Sequence, residues 1–233
     1  MSLQGDSFLC IWNDHDPAQA EEYEAWHTFE HVPERVCVPG FLSGRRYAAY
    51  DRSESRYFTL YDIASPTVLE TPAYQDLQDN PTSWSHRMRP GFRNFLRIPC
   101  STLVSKGIGC AETLGILVFS ADQGADRAVA AMQAQLESLM DKYDITAFHL
   151  GYTSEIPAYG VFGTQASSPD NRDTYVVLVE SLFVAGTEKA LVILNSLVDT
   201  HFGQPLLIKQ ESSELLFKVD AGELANSPLR RRI

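Results

Sequence analysis

The part of the chain that decides the fold begins with SFLCIWN (7–13), an apolar run with the length and composition of a β-strand. The polar cluster DHDP follows it and is typical of a turn and a helix N-cap, so a helix is expected from about residue 18 to residue 31. FLSGRRYAAY (41–50) and RYFTLYDI (56–63) are predicted strands joined by a polar turn. The segment therefore predicts a strand, a helix and a hairpin.

A second helix and a strand complete this unit. Pro33 limits the first helix, because a residue that precedes proline is disfavoured in the α region, although a further turn through Arg35 stays open. The second helical region covers about residues 65–79 and has a proline at the favoured first-turn position. A short helical turn near 83–88 then leads to a strand at 93–104. The predicted order is β-α-β-β-α-β.

The second half of the chain repeats this order with a weaker similarity in sequence. Its predicted elements are a strand at 113–120, a helix at 122–143, strands at 145–153 and 174–183, a helix at 187–200 and a strand at 206–219. The repeated order predicts two units, an N-terminal one at 1–106 that carries the candidate site and a diverged, mainly structural one at 107–233. The long loop 154–173 of the second unit either covers a site or mediates contacts, or is a loosely ordered surface insertion.

Composition excludes several function classes. Acidic residues outnumber basic ones, 30 to 19, and the formal net charge of −11 argues against nucleic acid as a partner. The four cysteines lack C-x-x-C spacing and are expected to be reduced thiols. No segment has the roughly 18 consecutive apolar residues of a membrane span, and the start of the chain lacks a signal-peptide pattern. No membrane association and a cytoplasmic location are therefore expected.

The first helix carries the densest group of chemically useful side chains. Residues three and four apart share a helix face, which predicts one polar stripe made of Tyr23, His27, Glu30, His31 and Glu34. Trp26 lies towards the opposite flank. Histidine is the natural general acid or base near neutral pH, and a neighbouring carboxylate can raise its pKa. His31 is the first candidate for this role and His27 the second; the alternative is that both are satisfied packing residues.

Metal binding is a weaker interpretation of the same histidines. His27 and His31 are four residues apart, a spacing that aligns two imidazoles on a helix. The sequence HTFEH (27–31) nevertheless differs from H-E-x-x-H, because the glutamate is displaced, and no third ligand is evident. No metal is expected.

The hairpin adds an arginine and several tyrosines. Arg45 and Arg46 are neighbours on a strand and must point to opposite faces, so only one of them can face the helices. An arginine in a cavity would bind a carboxylate or enolate, whereas the alternative is an ion pair at the surface or an interface. Tyr47, Tyr57 and Tyr61 are candidate cavity residues or core aromatics.

These residues resemble a known superfamily. Trp26-His27, His31-Val32-Pro33, Pro39-Gly40-Phe41 and Arg46-Tyr47, followed by Arg56-Tyr57 and Leu60-Tyr61, resemble the dimeric α+β barrel superfamily, and most closely its EthD-like and muconolactone-isomerase-like members. Antibiotic-biosynthesis-type monooxygenases are more distant relatives. The motifs cover residues 7–104, whereas 111–220 match in element order only.

The resemblance implies an α+β fold of two ferredoxin-like βαββαβ units packed sheet to sheet as a barrel within one chain. It places a ligand cavity between the sheet and the helices of a unit, matches His31 to a helix-end histidine, and makes Arg46-Tyr47 the corresponding strand pair. Pairing into a homodimer stays open.

The expected function is binding of a small organic molecule in the N-terminal unit, with proton transfer, isomerisation or oxygenation of an aromatic or lactone-like metabolite and no cofactor. Expected catalytic residues are His31 and His27; expected substrate-binding residues are Tyr23, Trp26, Glu34, Arg46, Tyr47 and Tyr61. The alternatives are a non-catalytic ligand-binding or assembly module and a haem-binding protein like chlorite dismutase. Neither His149 nor His201 stands in a sequence context typical of an axial haem ligand.

Overall fold

The strands of this chain close into a single antiparallel barrel. The computed structural model describes residues 2–50, 56–122, 126–142, 144–154, 156, 172–202 and 204–226, so most of the loop 154–173 lies outside the described residues. Within these ranges the strands are β1 (Ser7–His15), β2 (Phe41–Ala49), β3 (Tyr57–Ile63), β4 (Phe92–Gly107), β5 (Thr113–Ala121), β6 (Ala147–Thr153), β7 (Asp173–Ser181) and β8 (Leu206–Asp220). Each predicted strand is confirmed, with bounds that differ by a few residues.

The order of strands around the barrel is β1-β3-β2-β8-β5-β7-β6-β4. Each half contributes a four-stranded sheet in which the first strand lies between the fourth and the third, which is the ferredoxin-like arrangement. The two sheets join at both edges, since β2 pairs with β8 and β4 pairs with β6. The predicted α+β barrel within one chain is confirmed.

Side-chain alternation divides each strand between the barrel interior and the helices. The interior is filled by apolar side chains from both halves, among them Phe8, Trp12, Phe58, Ile116 and Leu178. On the outer face of the second sheet, α5 (Asp126–Asp141) and α6 (Val184–His201) cover a second apolar cluster. No helix of the described ranges has the length and apolar character needed to cross a membrane.

The helices of the N-terminal half cover the outer face of the first sheet. They are α1 (Ala20–Trp26), a π-helical turn (His27–His31), α2 (Val32–Val36), α3 (Pro72–Asp79) and α4 (Ser83–Met88). Short 3₁₀ turns lie at Pro17–Gln19, Pro66–Glu70 and Arg89–Gly91.

The first helix does not end at about residue 31; the further turn through Arg35 that the sequence left open is present, and the helical path continues to Val36. The π turn explains the continuation. The Val32 amide bonds the carbonyl of His27, five residues back, so the hydrogen-bond register changes just before the proline, which has no N–H to contribute. The Cys37 amide then bonds the Pro33 carbonyl at 2.9 Å, and the helix ends there.

Gly44 allows this helix to lie close to the sheet. A Cβ at this position would be 2.6 Å from Cγ1 of Val32 and 3.0 Å from Cγ2 of Val36. The absent side chain therefore sets the distance between β2 and α2, and through α2 the depth of the π turn over the sheet.

A second glycine tests how tightly the barrel interior is filled. A Cβ at Gly151 would lie 2.5 Å from Cζ of Phe8 and 2.9 Å from Cβ of Cys100. Gly151→Ala should lower the free energy of unfolding by about 1–3 kcal/mol through overpacking, measured by urea denaturation. Gly222→Ala is the matched control, because no atom of the described residues lies within 4 Å of a Cβ there. Equal stability of the two variants would contradict a close-packed interior.

Candidate functional site

Four aromatic rings form a continuous stack beneath the first helix. His27 and His31 lie face to face, with ring centroids 4.8 Å apart and planes inclined by 24°. Tyr23 stacks on the other side of His27 at 5.0 Å, and His15 of β1 stacks on Tyr23 at 4.6 Å. Trp26 lies against His31 at 4.2 Å. All five side chains are buried, so the helix directs a row of imidazole and aromatic rings at the sheet.

His27 and His31 line a small cavity between the helices and the first sheet. Its walls are formed by Ile11, Asn13, His27, His31, Arg35, Thr59, Tyr61, Tyr74, Phe92 and Phe95. The free volume is about 10 Å³, roughly the room that one water molecule needs. Phe92 and Phe95 are only half-buried and form the outer wall.

Four buried polar atoms around this cavity have no hydrogen-bond partner within the described part of the chain. They are Oδ1 of Asn13, Oγ1 of Thr59, and Nδ1 of both His27 and His31. Buried polar groups are nearly always paired, and an unpaired one costs about 1–3 kcal/mol. The cavity is therefore a place where the fold leaves hydrogen-bonding capacity unused.

Strand alternation explains how Asn13 and Thr59 reach this place. On β1, Ile11 and Asn13 face the helices, and Thr59 lies directly opposite Ile11 on β3. Neither Asn13 nor Thr59 was among the expected site residues. Strand alternation could have identified Thr59, because it lies between Tyr57 and Tyr61 on the same face of β3.

Electrostatics keep the two imidazoles neutral. Burial lowers the pKa of His27 well below its usual value, and the positive charges of Arg46 and Arg35 lower it further. Burial and the charge of Arg35 likewise lower the pKa of His31. Glu30, a carboxylate next to His31 in the sequence, is engaged instead by the hydroxyls of Thr82 and Ser85. Near pH 7 both rings are therefore neutral, with one nitrogen that carries a hydrogen and one that carries a lone pair.

The two strand arginines point to opposite sides of the sheet, as alternation requires. Arg46 faces the helices and pairs with Glu24 at 2.8 Å, also donating to the Thr28 hydroxyl. Its guanidinium lies over the rings of Tyr23 and Tyr57, at 5.7 and 5.8 Å. Arg46 thus ties α1 to the sheet. Arg45 points into the barrel, where it pairs with Glu180 at 2.7 Å.

The structure brings together only some of the expected substrate-binding residues. Tyr61 lines the cavity with the two histidines, whereas Tyr23 and Trp26 lie behind the imidazoles. The Trp26 indole donates to the Ser85 hydroxyl at 3.2 Å. Glu34 and Arg46 are buried but do not line the cavity.

Tyr47 lies on the other side of the sheet from the cavity. It is buried in the barrel interior, with its hydroxyl 4.0 Å from Sγ of Cys110. The strand pair Arg46-Tyr47 is therefore split between the two faces.

The two histidines considered as haem ligands are not placed for that role. His149 points into the barrel, and both ring nitrogens are engaged, Nδ1 by the Ser105 hydroxyl at 2.9 Å and Nε2 by Glu180 at 3.1 Å. His201 is exposed at the end of α6. The space between the second sheet and its helices is filled by apolar side chains such as Phe119, Met132 and Leu194. The described residues also contain no cluster of three or more metal-ligating side chains.

No family model and no curated protein sequence matches the chain. Solved structures match it over almost its whole length. An anthrone oxidase-like protein matches with a TM-score of 0.66, 12% identity, and coverage of 97% of this chain and 98% of the other. A candidate monooxygenase from Lactobacillus acidophilus matches with a TM-score of 0.58, 8% identity, and coverage of 94% of this chain and 97% of the other. A haem-binding protein from Thermus thermophilus matches with a TM-score of 0.52, 10% identity, and coverage of 93% of each chain. These similarities show the fold, a dimeric-type α+β barrel.

The neutral state of the two histidines predicts an acid-labile protein. An unfolded histidine titrates near 6.5, whereas His27 and His31 stay neutral to lower pH in the folded state. Below about pH 6.5 the unfolded chain therefore binds more protons, and the free energy of unfolding falls with a slope approaching about 1.4 kcal/mol per pH unit for each histidine.

The measurement is urea denaturation at intervals between pH 7.5 and 5.5, for the native chain and the double variant His27→Gln/His31→Gln. The double variant should lose most of this pH dependence, whereas replacing the exposed His86 by Gln should leave it unchanged. Identical slopes in all three proteins would show that the buried pair is not the source.

Proposed function

We propose that this protein binds a small organic molecule between the first sheet and the π turn, and that His31 and His27 exchange a proton with it without a cofactor. The observation that carries the proposal is the group of four unpaired polar atoms around one cavity. A ligand hydroxyl would donate to one of the acceptors, such as Oδ1 of Asn13 or an imidazole lone pair, and accept from the Thr59 hydroxyl.

The neutral imidazoles suit proton abstraction. A C–H or O–H proton of the ligand passes to an imidazole, and the ligand becomes an enolate or phenolate. The charges of Arg35 and Arg46, which lower the pKa of His27, would stabilise the anion that forms. Proton transfer thus places negative charge where the potential is already positive.

Ligand binding requires movement of the cavity wall. The cavity has room for one water, so a ring system must displace the half-buried Phe92 or Phe95. These two residues begin β4, and Phe92 also contacts His31 with centroids 6.1 Å apart. A ring that replaces Phe92 would meet the imidazoles directly.

The choice of reaction class rests on similarity. Residues 7–104 resemble EthD-like and muconolactone-isomerase-like proteins, and the fold is shared with an anthrone oxidase-like protein and a candidate monooxygenase. We therefore favour oxygenation or isomerisation of a phenolic or ketonic ring compound. In the oxygenation, anthrone and one O₂ would give anthraquinone and one water, with the proton first removed by His31.

A non-catalytic binding module is the second candidate. A general base works best with a pKa near the operating pH, and burial and nearby arginines hold the pKa of both histidines well below it. That observation favours hydrogen bonding of a ligand without turnover.

Anthrone is the first substrate to test, with O₂ uptake and the absorbance of anthraquinone as readouts. The native protein should accelerate anthrone loss over buffer, and His31→Ala should reduce the acceleration by about 100-fold or more, as loss of an acid–base residue does. His86→Ala, which removes an exposed imidazole from α4, is the control. Full activity in His31→Ala would exclude the proposed base, whereas anthrone binding without turnover would support the binding module.

Haem binding is tested separately, by titration with haemin and measurement of the Soret band. Since His149 is engaged at both nitrogens and His201 is exposed, we expect no stoichiometric complex. A one-to-one Soret band that disappears in His149→Ala or His201→Ala would overturn the cofactor-free proposal.

A further inference from the structure

A second and larger cavity lies where the end of β1 pairs with the start of β4. Its volume is about 410 Å³, and its walls are Asp14, His15, Pro17, Ala20, Arg56, Tyr57, Arg93 and Asn94. It shares no wall residue with the cavity of His27 and His31. A volume of this size is within the range of small-molecule sites.

The backbone around this cavity is irregular and firmly held. The pairing of β1 with β4 shifts register between Trp12 and Asp14, as at a β-bulge. Asn94 on β4 has a φ of 48°, a conformation that asparagine tolerates better than most residues. The Asp14 carboxylate accepts the Arg56 amide and the Asn94 side-chain amide, each at 2.6 Å. Bulges often redirect side chains next to functional sites.

Arg56 is the cation of this wall that has no carboxylate partner within the described ranges. Its guanidinium lies over the Tyr57 ring at 5.2 Å, and its buried Nε has no acceptor among the residues that the structure describes. Arg93 pairs with Asp16 at 2.9 Å, and both oxygens of the Asp14 carboxylate accept hydrogen bonds from uncharged amides of the wall. An anion entering the cavity therefore meets Arg56 as its partner.

His15 offers this cavity a hydrogen-bond acceptor, whereas Arg56 offers a donor. Its Nε2 lies 2.9 Å from the Met88 carbonyl, which can only accept, so Nε2 carries the hydrogen. In a neutral imidazole Nδ1 is then a lone pair, and this buried nitrogen has no donor within the described part of the chain. Stacking on Tyr23 fixes the ring. A ligand of this cavity would therefore supply an acceptor to Arg56 and a donor to Nδ1 of His15.

We propose that this cavity is a second binding site, for a small hydroxylated organic acid whose carboxylate pairs with Arg56 and whose hydroxyl donates to Nδ1 of His15. The ring of Tyr57 is 4% exposed and forms the part of the wall on which the Arg56 guanidinium rests. The site shares no wall residue with the proposed acid–base site, although His15 belongs to the same ring stack, and it does not require that the protein be an enzyme.

The test is calorimetric titration of the full chain with 3-hydroxybenzoate and with 4-hydroxybenzoate, because the two isomers span different separations of the two groups. At least one should bind, and Arg56→Gln should weaken it about tenfold or more. Arg87→Gln, which removes a surface arginine paired with Glu22, should have no effect. The methyl ether of the binding isomer, which lacks the donor, should bind about tenfold more weakly.

Solution NMR gives a second readout, in which the titration is recorded on the native protein. The Hε signal of Arg56 in the native protein should shift on titration, and the signal is identified by its loss in Arg56→Gln.

Three outcomes would overturn the proposal: no binding of either isomer up to about 10 mM, equal affinity of the methyl ether, or unchanged affinity in Arg56→Gln. Binding should persist in His31→Ala. Affinity lost in His31→Ala but kept in Arg56→Gln would place the ligand in the other cavity and refute this one.

Discussion

Closure of the barrel is the constraint on which the rest of the structure depends. A four-stranded sheet has two edges, and the β2–β8 and β4–β6 pairings remove all four edges of the two sheets. Closure also places Arg45 of the first sheet against Glu180 of the second, at 2.7 Å and fully buried. Burial raises the pKa of Glu180, but His149 and Arg45 more than compensate and lower it to about 2. Among the described residues the interior is thus packed with side chains, and both proposed sites lie outside it.

On the outer face of the first sheet, the π turn determines the chemistry. It lies directly before Pro33, where an α-helical register would call on an N–H that proline lacks. The wider turn leaves His27 and His31 stacked face to face and keeps the chain helical up to Val36. The π turn that accommodates Pro33 thus also positions the two imidazoles. Such turns occur frequently at functional sites.

The sequence predicted the architecture well because its signals are local. Strand alternation and turn residues identified all eight strands and the opposite orientations of Arg45 and Arg46. It predicted the site less completely, because the unpaired atoms of Asn13 and Thr59 reach His31 only through pairing of β1 with β3. It also placed Tyr47 with the cavity, since parity alone does not say which face of a strand lies inside a barrel that two distant halves close.

The net charge of the chain differs in sign from the charge of the arginines at the two candidate sites. The chain carries a net charge of −11, so its surface as a whole repels anions. Buried or half-buried arginines reverse this locally, since Arg35 and Arg46 lower the pKa of His27, and Arg56 lacks an acceptor for its Nε within the described ranges. A positive potential that already suppresses protonation of an imidazole is poised to stabilise a negative charge that appears beside it. The ligands proposed for both cavities are accordingly anionic or become anionic on binding.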